Sequence, residues 1–394
     1  MNDEQIYTIQ YLEEYIRQGE PLQRERGEAW KVAIGLQQVD GLKTSEYLLD
    51  TARKHIEGDI TIEEAKELID SYYKSADDRK LVENDRTEEA DKVSARITEI
   101  LAEKTFSFTP AQLISIHRRL FDGIYKLPGH IRDYNITKNE WVLGGKTVYY
   151  ASADTISDTL DYDMGLEREF SYKGMNVDDA IRHLSRFCAN LWQIHPFCEG
   201  NTRTTAVFMI KYLRSLGFNV VNDVFANNSW YFRNALVRAN YRNPQKGILP
   251  DKSFLVKFFR NLLLGENNEL KNRYMLIGYK DSENDSENDS EKDTRTTTHT
   301  TTHTTSNDIQ PSSDNVKRLI LSIGKEEMSV KNMMEAVGLK NRPNFLDYSL
   351  TPTINEGFVC MKYPDNPHHP RQKCLLTVKG LMLLDENNCE TSKI

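Results

Sequence analysis

Residues 177–217 constrain the fold of this chain most strongly, because two helical patterns there flank a short polar loop. Apolar side chains recur at helical spacing over residues 177–194 and again over residues 206–213, ahead of Gly217. Pro196 ends the first pattern, since proline lacks the N–H that a helix interior needs. We therefore predict two buried helices with the polar loop held tightly between them.

The polar loop combines residue types that suit phosphate chemistry. Its sequence is His195-Pro196-Phe197-Cys198-Glu199-Gly200-Asn201-Thr202-Arg203-Thr204-Thr205-Ala206. A helix start offers unpaired backbone N–H groups and the positive end of the helix dipole. We therefore expect an anion to dock where the second helix begins.

Three side chains of the loop have predicted roles in proton transfer and charge. His195 is the predicted catalytic base, because a histidine pKa near neutrality lets the ring take a proton from a hydroxyl. Glu199 is the predicted metal ligand, since Mg²⁺ usually binds through one or two carboxylates plus substrate phosphates. Arg203 lies in the first helical turn, where its charge opposes the helix dipole, so an anionic partner explains it best.

Three further residues of the loop are predicted to bind phosphate. Gly200 would let the backbone approach an anion, while Asn201 and Thr202 would present hydrogen-bond donors. Asn201 and Thr202 would serve equally well as a plain helix N-cap. The structural alternatives for Glu199 and His195 are a solvated surface acid and a core histidine.

Composition narrows the class of protein. At 394 residues the chain is long enough for two or three domains. Its net charge of −8 gives no overall preference for nucleic acid, although one domain could still carry a basic face. The five cysteines are scattered and form no CxxC pair, which favours free thiols over disulfides or a zinc site.

Hydropathy favours a cytoplasmic protein without membrane contact. The apolar runs are too short for a membrane span. The first residues are acidic where a signal peptide would be basic and then apolar.

Four segments differ in composition and pattern. They are an N-terminal helical module at residues 1–75, a helical core at 76–280, a low-complexity linker at 281–314 and a winged-helix-like domain at 315–394. In the first segment we predict helices over residues 3–17, 27–39, 45–57 and 61–73. Ser45 is a predicted helix cap, and Thr61 with Glu64 is a predicted capping box.

Strands are predicted at two places only. Within residues 140–151, Gly144-Gly145 separates two apolar runs, a pattern typical of a two-residue hairpin. Beyond the linker we predict helices over residues 315–322, 329–337 and 342–354, followed by strands at 358–361 and 373–376. Three helices and a small hairpin are the outline of a winged helix.

The loop from His195 to Arg203 resembles the signature of the Fic (Fido-domain) family. The resemblance extends over about residues 100–265. Pro128-Gly129-His130-Ile131-Arg132 is similar to the segment before the family's flap, and Trp141 to Tyr150 is similar to the flap itself. The resemblance implies a mainly α fold, namely a Fic-type helical core with a β-hairpin flap.

The resemblance also implies an activity, the transfer of AMP from ATP to a hydroxyl side chain of a target protein with the help of Mg²⁺. On this basis His195 would deprotonate the target hydroxyl and Glu199 would hold Mg²⁺. Gly200 and Asn201 would bind the α- and β-phosphates, with Arg203 on the β-phosphate. The flap would hold the target segment by main-chain pairing.

Three positions depart from the family pattern. Thr202 stands where members that transfer AMP usually have glycine, and Thr205 stands where they often have another glycine. Ala206 replaces a second arginine that meets the γ-phosphate. Losing one charged contact implies roughly tenfold to a hundredfold weaker hold on a terminal phosphate. A diphosphate donor without a γ-phosphate would suit Ala206.

Residues 30–73 resemble the small antitoxin module that inhibits Fic enzymes. That module has a Ser or Thr four residues before a Glu, which pairs with the second arginine. This chain has Leu36 and Asp40-Gly41 at that spacing. With the acid shortened and no arginine at position 206 to hold it, we predict that the module is a structural cap and that autoinhibition is weak or absent.

Three hypotheses follow from the sequence. The first is a transferase of AMP, the second is a Fic-type transferase with a different nucleotide donor, and the third is a catalytically silent regulator that binds DNA or protein. The winged-helix-like domain would contact either DNA or a protein, and the sequence favours neither. Its basic residues are Lys317, Arg318, Lys331, Lys340, Arg342, Arg371 and Lys373.

Overall fold

Helices make up most of the chain, as the sequence predicts. The computed structural model describes residues 20–75, 81–172, 175–218, 220, 224–279, 311–362 and 371–391. The predicted helix over residues 3–17 and the predicted linker up to residue 310 lie outside these ranges. None of the helices within them combines the length and the apolar character that crossing a bilayer requires.

Two of the N-terminal helices begin and end close to their predicted positions, whereas the helix predicted over residues 27–39 begins earlier, at Pro21, and ends at Leu36. These N-terminal helices are α1 (Pro21–Leu36) with a 3₁₀ turn at Gln37–Asp40, α2 (Glu46–Glu57) and α3 (Ile62–Ser75). Ser45 caps α2 by accepting a hydrogen bond from the Leu48 N–H at 3.0 Å. Thr61 and Glu64 form the predicted capping box, with N–H to side-chain distances of 2.7 and 3.2 Å.

The N-terminal module shares its core with the rest of the molecule. Val32 and Leu36 of α1 belong to the same buried apolar cluster as the central helices. Gly35 crosses the backbone of Ala226 so closely that a Cβ there would lie 2.4 Å from it. Because burial of this apolar surface stabilises both parts, α1 is an integral element of the core.

The central helices surround the polar loop. They are α4 (Leu81–Ala102), α5 (Pro110–Phe121), α6 (Ile156–Glu169), α7 (Val177–Ile194), α8 (Asn201–Ser215), α9 (Val224–Asn240) and α10 (Ser253–Leu264). The loop His195–Gly200 joins α7 to α8, as the two helical patterns predict. Nearly all of α8 is buried, so the loop is attached to the least exposed part of the core.

The hairpin predicted around Gly144-Gly145 is wrong in its local form. Residues Trp141–Leu143 form a 3₁₀ turn, and a single antiparallel bridge joins Glu140 to Lys146. The Glu140 carbonyl accepts from the N–H groups of Leu143 and Gly145, both at 3.0 Å. Burial of Val142, whose carbonyl accepts from the Ile277 N–H, draws the first arm into the core. The two arms are therefore not free to pair as strands.

The C-terminal segment has the predicted winged-helix order and one more helix. Its elements are α11 (Asp314–Ile323), α12 (Val330–Ala336), α13 (Arg342–Phe345), a π segment (Leu346–Leu350), α14 (Thr351–Asn355), β1 (Val359–Met361), β2 (Cys374–Leu376) and α15 (Val378–Thr391). The strands are antiparallel, with Cys360 opposite Leu375. The sequence did not lead us to predict α15.

Two glycines lie in the contact between the C-terminal segment and the core. Gly217 follows the end of α8, and a Cβ there would lie 2.3 Å from the Gly357 carbonyl oxygen. The converse Cβ on Gly357 would lie 2.3 Å from the Gly217 carbonyl oxygen. Met382 of α15 joins the main apolar cluster beside them. The two segments therefore pack through backbone that leaves no room for a side chain.

Candidate active site

His195 has an unusual backbone conformation at the end of α7. Its φ of 50° and ψ of 59° lie in the left-handed region, and within the described ranges no other residue except glycine has a positive φ. Such a conformation is unfavourable for a side chain with a Cβ, so neighbouring contacts must hold it.

Arg132 supplies those contacts. Its Nε donates to the His195 carbonyl at 2.8 Å, and its backbone N–H donates to the Pro196 carbonyl at 2.9 Å. The same guanidinium donates to Tyr134 and Ala151, at 2.7 and 2.5 Å. Arg132 is 3% exposed. It therefore fixes the turn at His195 and both ends of the segment between residues 134 and 151.

The ring of His195 has one nitrogen free. Nδ1 lies 3.3 Å from the Trp192 carbonyl, which can only accept, so Nδ1 carries the proton. Nε2 is buried and has no hydrogen-bond partner among the described residues. Burial, followed by the charge of Lys138, holds the pKa of His195 well below 6.5. The ring is therefore neutral at pH 7, with its lone pair on Nε2.

Tyr150 covers this ring. The two ring centroids are 4.2 Å apart, and His195 is 3% exposed. The Tyr150 hydroxyl donates to Glu140 at 3.2 Å, and Glu140, which is fully buried, pairs with Arg233 at 2.7 Å. This chain of contacts ties the predicted flap to α9 and keeps Tyr150 against the His195 ring.

Glu199 extends from the loop towards solvent. Its side chain is 62% exposed, and its Oε2 lies 3.0 Å from the Nζ of Lys138. A single exposed carboxylate at a helix start fits a magnesium ion that also contacts donor phosphates. Within the described ranges, no group of three or more Asp, Glu, His or Cys side chains could hold a metal ion by itself.

His117 contacts two residues of the loop. Its ring stacks on Phe197 with centroids 3.7 Å apart, and its Nδ1 accepts from the Gly129 N–H at 2.8 Å. The remaining nitrogen, Nε2, therefore carries the proton and donates to the Glu199 carbonyl at 3.1 Å. Burial lowers the pKa of His117 to about 4, so the ring stays neutral in this role.

The predicted phosphate-binding side chains at the start of α8 have partners inside the protein. Asn201 bonds to both the N–H and the carbonyl of Phe197, at 2.9 and 2.7 Å. Thr202 accepts from the Trp192 indole at 3.0 Å. Gly200 has a φ of 72° and caps α8 without a side-chain bond. The N–H groups of the first turn of α8 are therefore the groups suited to an anion.

Arg203 is placed differently from our expectation. It is 1% exposed and lies 2.8 Å from Asp40, 2.5 Å from Glu89 and 2.9 Å from Tyr125. Its Nη1 also donates to Gln37 at 2.9 Å. We call these contacts the Arg203 cluster. The cluster must open before Arg203 can reach a phosphate, so that role stays a prediction.

The Arg203 cluster also corrects our reading of Asp40. We expected Asp40 to lack an arginine partner, because position 206 is alanine. Asp40 instead pairs with Arg203, while Ala206 is fully buried in the core. Two acids neutralise one buried arginine here, so Asp40 is a structural counter-ion in this arrangement.

Sequence reasoning did not assign Arg132, His117, Tyr150 or Lys138 to the site. Each acts from an element distant in sequence from the loop. Only Arg132 and Tyr150 were signalled in advance, through their segments' resemblance to those around the family's flap.

Two parts of this chain match models of known protein families. Residues 107–213 match the Fic/DOC family, and residues 314–377 match the C-terminal domain of "Filamentation induced by cAMP protein Fic-like". The first match contains the loop, all of α7 and α8 as far as residue 213.

Two individual proteins are similar to this chain. Protein adenylyltransferase VbhT from Bartonella schoenbuchensis is 26% identical over 105 residues, which are 27% of this chain and 21% of that protein. This chain thus aligns with about a fifth of the relative's length. A Fic family protein from Desulfovibrio desulfuricans G20, a crystal structure, gives a TM-score of 0.42 at 16% identity over 94% of each chain.

Substituting Gly200 tests how the loop is packed. A Cβ at this position would lie 2.4 Å from the Phe121 ring. We expect Gly200→Ala to lower the free energy of unfolding by about 1–3 kcal/mol more than Gly123→Ala. Gly123 has a similar φ of 67° with open space around it, so it isolates the backbone cost. Urea denaturation of both variants measures the difference, and equal losses would contradict the packing.

Substituting Asp40 tests the Arg203 cluster. We expect Asp40→Asn to lower the free energy of unfolding by about 1.5–3 kcal/mol, because a charged partner of a buried arginine is removed. Asp59→Asn, in the exposed turn after α2, is the matched control. Truncation of residues 1–75 is a poorer test, since it also removes part of the core. A stability equal to that of the control would show that Asp40 does not hold Arg203.

Proposed function

We propose that this chain transfers AMP from ATP to a hydroxyl side chain of a target protein, because residues 107–213 match the Fic/DOC family and residues 314–377 match a Fic-like C-terminal domain. The free Nε2 of His195 carries this proposal. A buried imidazole whose proton is held on Nδ1 is prepared to accept a proton at its other nitrogen. The VbhT relative is named a protein adenylyltransferase, which is consistent with the same reaction.

In the proposed step, the target hydroxyl oxygen attacks the α-phosphorus of ATP. Its proton passes to Nε2 of His195 as the new O–P bond forms. The bond between the α-phosphorus and the oxygen bridging to the β-phosphate breaks, and pyrophosphate leaves with that electron pair. Arg132 contributes by keeping His195 in its left-handed conformation, so that Nε2 keeps one direction.

The start of α8 would bind the donor. Its first-turn N–H groups and the helix dipole favour negative charge next to Glu199. Glu199 would hold Mg²⁺, which would neutralise charge on the donor phosphates. His117 keeps the backbone of Glu199 in place for this purpose.

The second candidate is a transferase that uses another nucleotide. The buried Ala206 and the enclosed Arg203 leave no arginine of this loop for a terminal phosphate, which favours a donor without one. The third candidate, a silent regulator, is favoured by the covered His195. In either case the winged-helix-like domain would bind DNA or a protein, and a target segment would approach residues 141–150.

A comparison of donors separates these candidates. The full chain is incubated with Mg²⁺ and ATP, UTP or a nucleoside diphosphate sugar, with and without cell extract, and modified proteins are weighed by mass spectrometry. We expect an added AMP mass with ATP that disappears in His195→Ala. Addition of another nucleotide would favour the second candidate. No addition with any donor would contradict transferase activity and favour the third.

The pH dependence of the reaction tests the state of His195. Since burial lowers its pKa well below 6.5, the neutral base persists as the pH falls. We expect the rate of modification to stay level from about pH 8 to about pH 6, at saturating Mg²⁺ and donor. An acidic limb with a midpoint near the ordinary histidine value would show that His195 is solvated when it reacts.

A further inference from the structure

Lys138 is a cation next to both predicted reactive groups. Its Nζ donates to Glu199 at 3.0 Å, and its side chain is 26% exposed. Its backbone N–H donates to Thr147 at 3.1 Å, which connects it to the opposite arm of the same segment. Among the charged groups that lower the pKa of His195, Lys138 has the largest effect. Lys138 therefore lies beside the acid that precedes the start of α8, on the segment whose Tyr150 contacts the base.

The other cations of the site are committed to internal partners. Arg132 donates to backbone carbonyls, including that of His195. Arg233 pairs with Glu140, which is fully buried. Arg203 is enclosed by the Arg203 cluster. Releasing any of these would leave a buried polar group without its partner.

The partner of Lys138 is different, because Glu199 is exposed and can turn towards a metal ion. An ion pair between exposed side chains contributes little to stability, so separating it costs little. If Mg²⁺ bound this carboxylate, the Lys138 ammonium would be released from its pair close to Glu199, next to a helix start where negative charge is favoured.

We propose that Lys138 is a donor-binding residue that contacts the phosphates of the nucleotide at the start of α8. This inference rests on the proposed function. Lys138 would supply the positive charge that Ala206 cannot provide and that Arg203 uses for partners inside the protein. The contact requires only that the exposed pair with Glu199 separate.

Binding to the full chain tests this assignment without turnover. In a His195→Ala background, titration calorimetry measures the Kd of ATP with Mg²⁺ for Lys138→Gln and for Lys146→Gln. Lys146 is an exposed lysine of the same segment and is the matched control. We expect Lys138→Gln to weaken ATP binding roughly tenfold or more and to leave adenosine binding unchanged, because only the charged contact is lost. Lys146→Gln should bind both ligands like the parent.

Manganese binding distinguishes a phosphate contact from a structural role. Without nucleotide, Lys138→Gln removes the cation that competes for Glu199, so Mn²⁺ measured by electron paramagnetic resonance should bind at least as tightly as in the parent. A structural role would instead weaken Mn²⁺, adenosine and ATP together. Equal ATP binding by Lys138→Gln and the parent would overturn the assignment alone. If the parent binds none of ATP, UTP and ADP, the proposed function fails and the assignment fails with it.

Discussion

The hydrogen bonds from Arg132 to backbone carbonyls are the interaction on which the site depends. A single guanidinium holds His195 in a left-handed conformation and joins the two ends of the segment that contains Lys138 and Tyr150. Guanidinium suits this task because its donors are rigidly arranged and stay charged when buried. The position of the base and the position of its cover are consequently set by one residue.

Charge is distributed in this site according to burial. The buried Arg203 and the half-buried Arg233 each face buried or half-buried acids, whereas the exposed pair of Lys138 and Glu199 is inexpensive to separate. Breaking an enclosed pair would leave a charge without its partner, so only the exposed pair is available for ligands. In the loop motif, Arg203 is thus held by partners inside the protein, whereas Glu199 stays available for a ligand.

Local patterns in the sequence predicted the helices well and the contacts around the loop poorly. The helices on both sides of the loop, the caps at Ser45 and Thr61 and the winged-helix order follow from periodicity and capping chemistry, which act within a few residues. The partner of Asp40 depends on how α1 packs against α8, which no local pattern encodes. The hairpin predicted at Gly144-Gly145 is wrong for the same reason, because burial of Val142 outweighed the local turn pattern.

The contact between Gly217 and Gly357 gives α8 a mechanical role. This helix starts at the candidate site and ends at the glycine contact, about 22 Å away at the usual rise per residue. Packed helices transmit displacements because interiors are dense. A molecule that bound the winged-helix-like segment would thus lie at the end of α8 opposite to the N–H groups beside Glu199.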